Sequence, residues 1–125
     1  MNKFPKSERL QGKRKIEELF TEGNHFTVFP LKVVYLKLEQ PDSPLPNQIL
    51  VAVPKRNFKR AVDRNRIKRL IREAYRLNKK LIPNRQAEFY LLIGYIYLGK
   101  EVPKYQYVEE KLKQSLLRLK ETVKY

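Results

Sequence analysis

Ten basic side chains, Lys55, Arg56, Lys59, Arg60, Arg64, Arg66, Lys68, Arg69, Arg72 and Arg76, fall within one stretch, KRNFKRAVDRNRIKRLIREAYR, whose only acids are Asp63 and Glu73. Ten bases against two acids put +8 of the chain's formal +15 into 22 of its 125 residues. Guanidinium and ammonium groups at this density bind phosphates, so the stretch marks a surface for a polyanion. Seven of the ten are arginine. The planar fork of arginine pairs bidentately with phosphate oxygens, and its weak hydration lowers the cost of contact.

Groups that make and break bonds are not arranged for it in the sequence. His25 is the single histidine and there is no cysteine, so neither a thiolate site nor a paired-imidazole metal site is expected. No glycine-rich phosphate loop and no nucleophile-elbow sequence occurs. The carboxylate pairs Glu17/Glu18 and Glu109/Glu110 are adjacent on expected helices, which points their members about 100° apart. They do not converge on one bond. No catalytic residue and no protein metal ligand is assigned.

The phosphate-binding stretch needs a rigid support, and its own pattern supplies one. Ile67, Leu70, Ile71, Ala74 and Tyr75 fall at i, i+3, i+4, i+7 and i+8, the apolar face of an amphipathic helix. Asn65, Arg69, Arg72 and Arg76 then lie on the opposite face, a stripe running roughly 16 Å at about 1.5 Å per residue. Like charges at i+3 and i+4 destabilise a solvated helix, so this stripe makes physical sense once a partner neutralises it. Ala61 and Val62 are out of phase with the apolar face, so the helix is expected to change environment or to begin near them, with Asp63 a suitable anion for its first turn.

The tract from Lys55 to Glu73, KRNFKRAVDRNRIKRLIRE, with Arg64-Asn65-Arg66 followed by Ile-Lys-Arg-Leu-x-Arg-Glu, resembles the signature of the bacterial ribonuclease P protein family. The resemblance implies a subunit that performs no chemistry itself. In such ribonucleoproteins the RNA subunit uses Mg²⁺ to hydrolyse the 5′ leader junction of precursor tRNA, and the protein raises substrate and metal affinity. Carried onto matching positions, it makes Arg64, Asn65, Arg66, Lys68, Arg69 and Arg72 face the ribonuclease P RNA, with Lys55 and Arg56 nearby. It also places a leader cleft beside the first helix, with Phe20 and Tyr35 as candidates. Ile16 stands where the family would carry another aromatic. Tyr35 depends on strand register, since a slip of one residue reverses its face.

The surrounding elements follow from periodicity and breakers. Residues 1–12 are expected to form a flexible basic arm, and 13–22 a short helix with Ile16, Leu19 and Phe20 at i, i+3 and i+4. The run 26–38 is rich in β-formers and interrupted by Pro30. QPDSPLPN, residues 40–47, should be a loop between two antiparallel strands, the second being 49–53, expected to be central and covered on both faces. After the basic helix, Pro83 and Asn84 should turn the chain into FYLLIGYIY, residues 89–97, with Gly94 a bulge or close-approach point. The closing helix, 107–123, puts Val108, Leu112, Leu116, Leu119 and Val123 on one stripe and mixed charges on the other face.

These elements give an α+β fold, a two-layer sandwich of helices on a small mixed sheet, in a single RNA-binding domain over residues 1–125. A strand, helix, strand order implies a parallel crossover; the resemblance implies that it is left-handed, against the general preference. No apolar run approaches the roughly 20 residues of a membrane span and no signal-peptide core is present, so a cytoplasmic protein without a membrane partner is expected. The expected partners are ribonuclease P RNA and precursor tRNA, with Mg²⁺ serving the RNA. A structural rRNA-binding or ribosomal protein is the alternative that the charge alone also supports. DNA is not expected, because no helix-turn-helix spacing accompanies the basic helix.

Overall fold

The structure is a computed structural model that describes residues 5–82 and 88–123. The chain runs α1 (Lys13–Glu22), β1 (Asn24–Val28), β2 (Leu31–Glu39), β3 (Gln48–Ala52), α2 (Ala61–Asn78), β4 (Phe89–Tyr97) and α3 (Tyr105–Val123). The strands form one sheet in the order β1-β2-β4-β3, antiparallel except for the parallel β3–β4 pair. The link from β3 through α2 to β4 is the expected crossover.

FYLLIGYIY reads as an unbroken apolar run because β4 is covered on both sides. Leu91, Ile93, Tyr95 and Tyr97 join the core built with α2 and α3, which includes Ile67, Ile71, Tyr75, Leu112 and Leu116. Tyr90 and Leu92 join Leu10, Leu19 and Val34 on the opposite face, under α1. Thus α2 and α3 pack on one face of the sheet and the short α1 on the other. The stripe expected on the last helix is buried throughout, and the buried Ser115 beside it is satisfied by Tyr95 at 2.9 Å and by the Leu112 carbonyl at 2.6 Å. Burial pushes the Tyr95 phenol well above its ordinary range, so it remains a neutral donor. Helix α3 begins at Tyr105, two residues earlier than expected.

Two expectations about the sheet are corrected. Strand β3 is an edge strand, not a central one. Ile49 and Val51 are buried in the core built with α2 and α3, and the N-terminal segment lies along the strand's outer side, where the Leu10 amide donates to the Ile49 carbonyl at 2.8 Å and Arg9 bridges Ile49. The loop QPDSPLPN does join strands of opposite direction, but β4 lies between them, so β2 and β3 are not paired. Within the expected arm, Lys6–Glu8 forms one 3₁₀ turn and Leu10 is buried. The buried Glu8 carboxylate meets Lys79 Nζ at 2.8 Å, a partner 71 positions away that no local pattern could reveal.

Pro30 splits the expected long strand into the β1–β2 hairpin, whose Phe29–Pro30 peptide is cis. The turn expected at Pro83 and Asn84 lies outside the described residues.

Candidate nucleic-acid interface

The basic tract enters from the end of β3. Pro54 starts a turn closed by the Asn57 amide on the Pro54 carbonyl at 3.2 Å. Phe58 is buried against Tyr97, with ring centroids 6.0 Å apart, and anchors the loop to the core. On either side of Phe58, Lys55, Arg56, Lys59 and Arg60 are exposed. Arg64, one turn into α2, reaches back: its Nη1 donates to the Phe58 carbonyl at 2.7 Å and to the Lys59 carbonyl at 3.0 Å. The first arginine of the Arg64-Asn65-Arg66 motif therefore holds the loop in place.

Along α2, Ile67, Ile71, Ala74 and Tyr75 are buried as the apolar face. Asn65, Arg66 and Arg69 are exposed, while Lys68 and Arg72 are half-buried at its flanks. Arg72 is desolvated and lies near the charge of Arg9, and both effects lower its pKa from the ordinary arginine value. Arg9 thus belongs to the same cationic surface; nothing in its local sequence signalled this, because the contact depends on the docked N-terminal segment. The stripe ends earlier than its periodicity suggests. Arg76 makes a two-pronged ion pair with Glu73, one prong at 3.0 Å, and its side chain is only 17% exposed. Arg60 sits 3.9 Å from Asp63, an exposed and weak pairing that leaves it available.

A second surface lies on the α1 side of the sheet. Register places Leu50, Gly94, Val34 and His25 in one row across the strands, and Ala52, Ile96, Lys32 and Thr27 in the next. Helix α1 covers Val34 and Leu92 through Leu19, but Lys32, Ile96 and Ala52 remain half-exposed and Thr27 exposed. Phe20, 47% exposed, overhangs this open strip. Gly94 is a close-approach point and not a bulge: a Cβ there would lie 3.3 Å from Leu19 Cδ2 and 3.7 Å from Phe20 Cζ. Ala52 leads directly through Val53 and Pro54 to Lys55, so the strip runs toward the basic loop.

Phe20 and Tyr35 are not brought together. Tyr35 pairs with Ile93 and lies on the opposite face, packed on the main core with its ring 5.9 Å from Phe26. Alternation is the reason: Val34 faces α1, so its neighbour cannot. Lys32, which shares the face of Val34, was the residue that alternation could have found. Among the described residues no group of three or more His, Cys, Asp or Glu side chains could hold a metal ion, and no helix is long and apolar enough to cross a membrane.

A small α+β domain that presents an arginine-rich helix beside an open strip of its sheet has the form of a nucleic-acid-binding protein. Residues 4–120 match the family model described as Ribonuclease P. A ribonuclease P protein component from Porphyromonas gingivalis is 42% identical over 116 residues, covering 91% of this chain and 84% of the relative. The ribonuclease P protein of Thermotoga maritima superposes with a TM-score of 0.70 at 27% identity, over 89% of this chain and 96% of that one. That of Staphylococcus aureus, at 18% identity, shares the fold with a TM-score of 0.67 over 90% and 94%. The chain belongs to the bacterial ribonuclease P protein family. It is the protein subunit of a ribonucleoprotein endoribonuclease.

Proposed function

We propose that the exposed face of α2 and the loop before it bind the ribonuclease P RNA, and that the open strip under Phe20 receives the single-stranded 5′ leader of precursor tRNA. The observation that carries this reading is the exposure of Lys55, Arg56, Lys59, Arg60, Asn65, Arg66 and Arg69 on one continuous loop and helix start. Cations presented in this way exchange condensed counterions for phosphates, which favours binding by entropy. The strip adds what a flexible single strand needs, an aromatic ring for a base and Lys32 for a phosphate. In this reading Mg²⁺ is held by RNA, the cleavage is RNA-catalysed, and the protein acts in the cytoplasm by orienting the leader and neutralising its charge. Tyr35 has no place in the leader site, because it lies behind the sheet.

The test uses the chain, a ribonuclease P RNA and a precursor tRNA at low Mg²⁺. The chain alone is expected to leave the substrate intact at every Mg²⁺ concentration, and to lower the Mg²⁺ requirement when added to the RNA. Phe20→Leu, checked for an unchanged melting temperature, is expected to weaken precursor binding by about five-fold or more, from roughly 1–3 kcal/mol per stacked base, and to spare mature tRNA. Cleavage by an RNA-free preparation would overturn the assignment of the chemistry to RNA. A folded Phe20→Leu protein that discriminates precursor from mature tRNA as well as the parent does would remove Phe20 from the leader site.

A further inference from the structure

Two aromatic side chains stand exposed on the other side of the sheet end, away from α1. Phe29, at the tip of the β1–β2 hairpin, is 59% exposed, and Tyr107, in the first turn of α3, is 40% exposed. Between them lies a groove of about 450 Å³ floored by Pro30 and Tyr97, and a second hollow of about 380 Å³ continues past Tyr107 to Pro103 and Lys104. Each is within the size range of small-molecule sites, which begins at about 300 Å³. Neither belongs to the strip under Phe20, since Tyr97 points into the α2 and α3 core.

The walls are fixed without a ligand. The Leu98 amide donates to the Pro30 carbonyl at 2.7 Å and ties the hairpin tip to the β4–α3 loop. Tyr97 Oη donates to the Glu101 carbonyl at 2.7 Å and holds the loop's far end. Gly99 lies so close over the Tyr97 ring that a Cβ there would collide with the Tyr97 hydroxyl. The rim is cationic: Lys100 and Lys104 line the two hollows, and Lys111 Nζ sits 5.7 Å from the Tyr107 ring centroid, with Glu101 the one acid in either lining. Tyr97 is also the ring on which Phe58 packs, so one aromatic layer separates the groove from the basic loop of Lys55 to Arg60.

Preset aromatic walls with a lysine rim, on a chain of net charge +15, suit a flat apolar group attached to an anion. We propose that the groove between Phe29 and Tyr107 is a second single-stranded RNA site, which stacks one unpaired base and holds its flanking phosphates on Lys100 and Lys104. It rests on the reading of the chain as an RNA-binding subunit and adds a contact on the opposite side of the basic loop from the leader strip. An RNA segment leaving that loop could then be gripped on either face of the sheet end.

The chain has no tryptophan, so Tyr107→Trp places a single fluorescent reporter in the groove of the full-length protein. A ten-nucleotide oligouridine is expected to quench that emission saturably, and inorganic polyphosphate, which has charge but no bases, is expected to bind without quenching. Phe29→Ser with Tyr107→Ser should weaken oligouridine binding by about ten-fold, at an unchanged melting temperature, and Phe20→Leu should multiply that loss. Quenching equal for polyphosphate and oligouridine, or parental affinity in the doubly substituted protein, would overturn the proposal. So would sedimentation showing a dimer that the double substitution dissolves, since the groove would then be a contact between copies of the chain. Arg69→Ala separates the two readings: its loss of binding with an inert groove would reject only the second site, and no loss from any variant would reject both.

Discussion

Arg64 and Arg69 lie five residues apart in one basic helix and do different work. Arg69 is exposed, and under the proposed function its whole fork meets a phosphate, whereas Arg64 spends one nitrogen on two backbone carbonyls of the loop before the helix. Arg69→Ala is expected to lower the magnitude of the log–log salt slope of RNA binding by about one unit, with Lys113→Ala on the outer face of α3 close to neutral. Arg64→Lys keeps the charge and loses the geometry, so its slope should stay near the parent's while affinity falls as Lys59 loses its fixed position. Binding isotherms at four or five salt concentrations measure both quantities. Equal losses at Arg69 and Lys113 would mean diffuse attraction instead of a defined surface. The sequence made the cationic helix plain but could not assign these roles, because Arg64 and Arg76 look like members of one stripe until the loop carbonyls and Glu73 are in place.

At the scale of elements, α2 and α3 are joined by a polar seam at the edge of their apolar contact. Asn78 donates to Glu109 at 3.1 Å, Tyr105 donates to the same Oε2 at 3.1 Å, and Asn78 also reaches the Ala74 carbonyl at 2.8 Å. The hydrogen bond from Asn78, then that from Tyr105, holds the Glu109 carboxyl below its ordinary range. Burial and the neighbouring Glu109 push the Tyr105 phenol up to about 12. A carboxylate whose pKa is depressed by folding stabilises the fold above its unfolded pKa, and that contribution is lost as pH falls through the folded value. The parent's melting temperature should therefore drop more steeply below about pH 4 than that of Glu109→Gln, whose amide oxygen still accepts both bonds and does not titrate. Parallel melting curves across that range would show that the charge of Glu109 adds nothing to the seam. The helices behind this seam were legible in the sequence, since Val108, Leu112, Leu116, Leu119 and Val123 repeat at the helical period. The place of β3 was not: Ile49 to Val53 is as apolar as a central strand, because Ile49, Val51 and Val53 lie in the core with α2 and α3, and its outer edge is met by the docked N-terminal segment, a contact distant in sequence.

The whole molecule combines a strong net positive charge with a sheet whose middle arrives late. The formal +15 weakens the compact state by self-repulsion, and the apolar core must outweigh it. That core is centred on β4, which pairs with β2 on one side and β3 on the other. During vectorial synthesis, β2 and β3 leave the ribosome well before β4, and neither can pair with the other across the gap that β4 will fill. A nascent chain that ends at α2 thus presents two unpaired strand edges beside its completed cationic tract, the kind of intermediate that invites aggregation. Protease resistance of ribosome-bound chains is expected to appear only once residues beyond Tyr97 have emerged, and resistance at shorter lengths would mean that the first half folds alone. The same geometry makes strand insertion the committing step: the cationic tract is synthesised first, yet the platform that aims it closes only once β4 has followed.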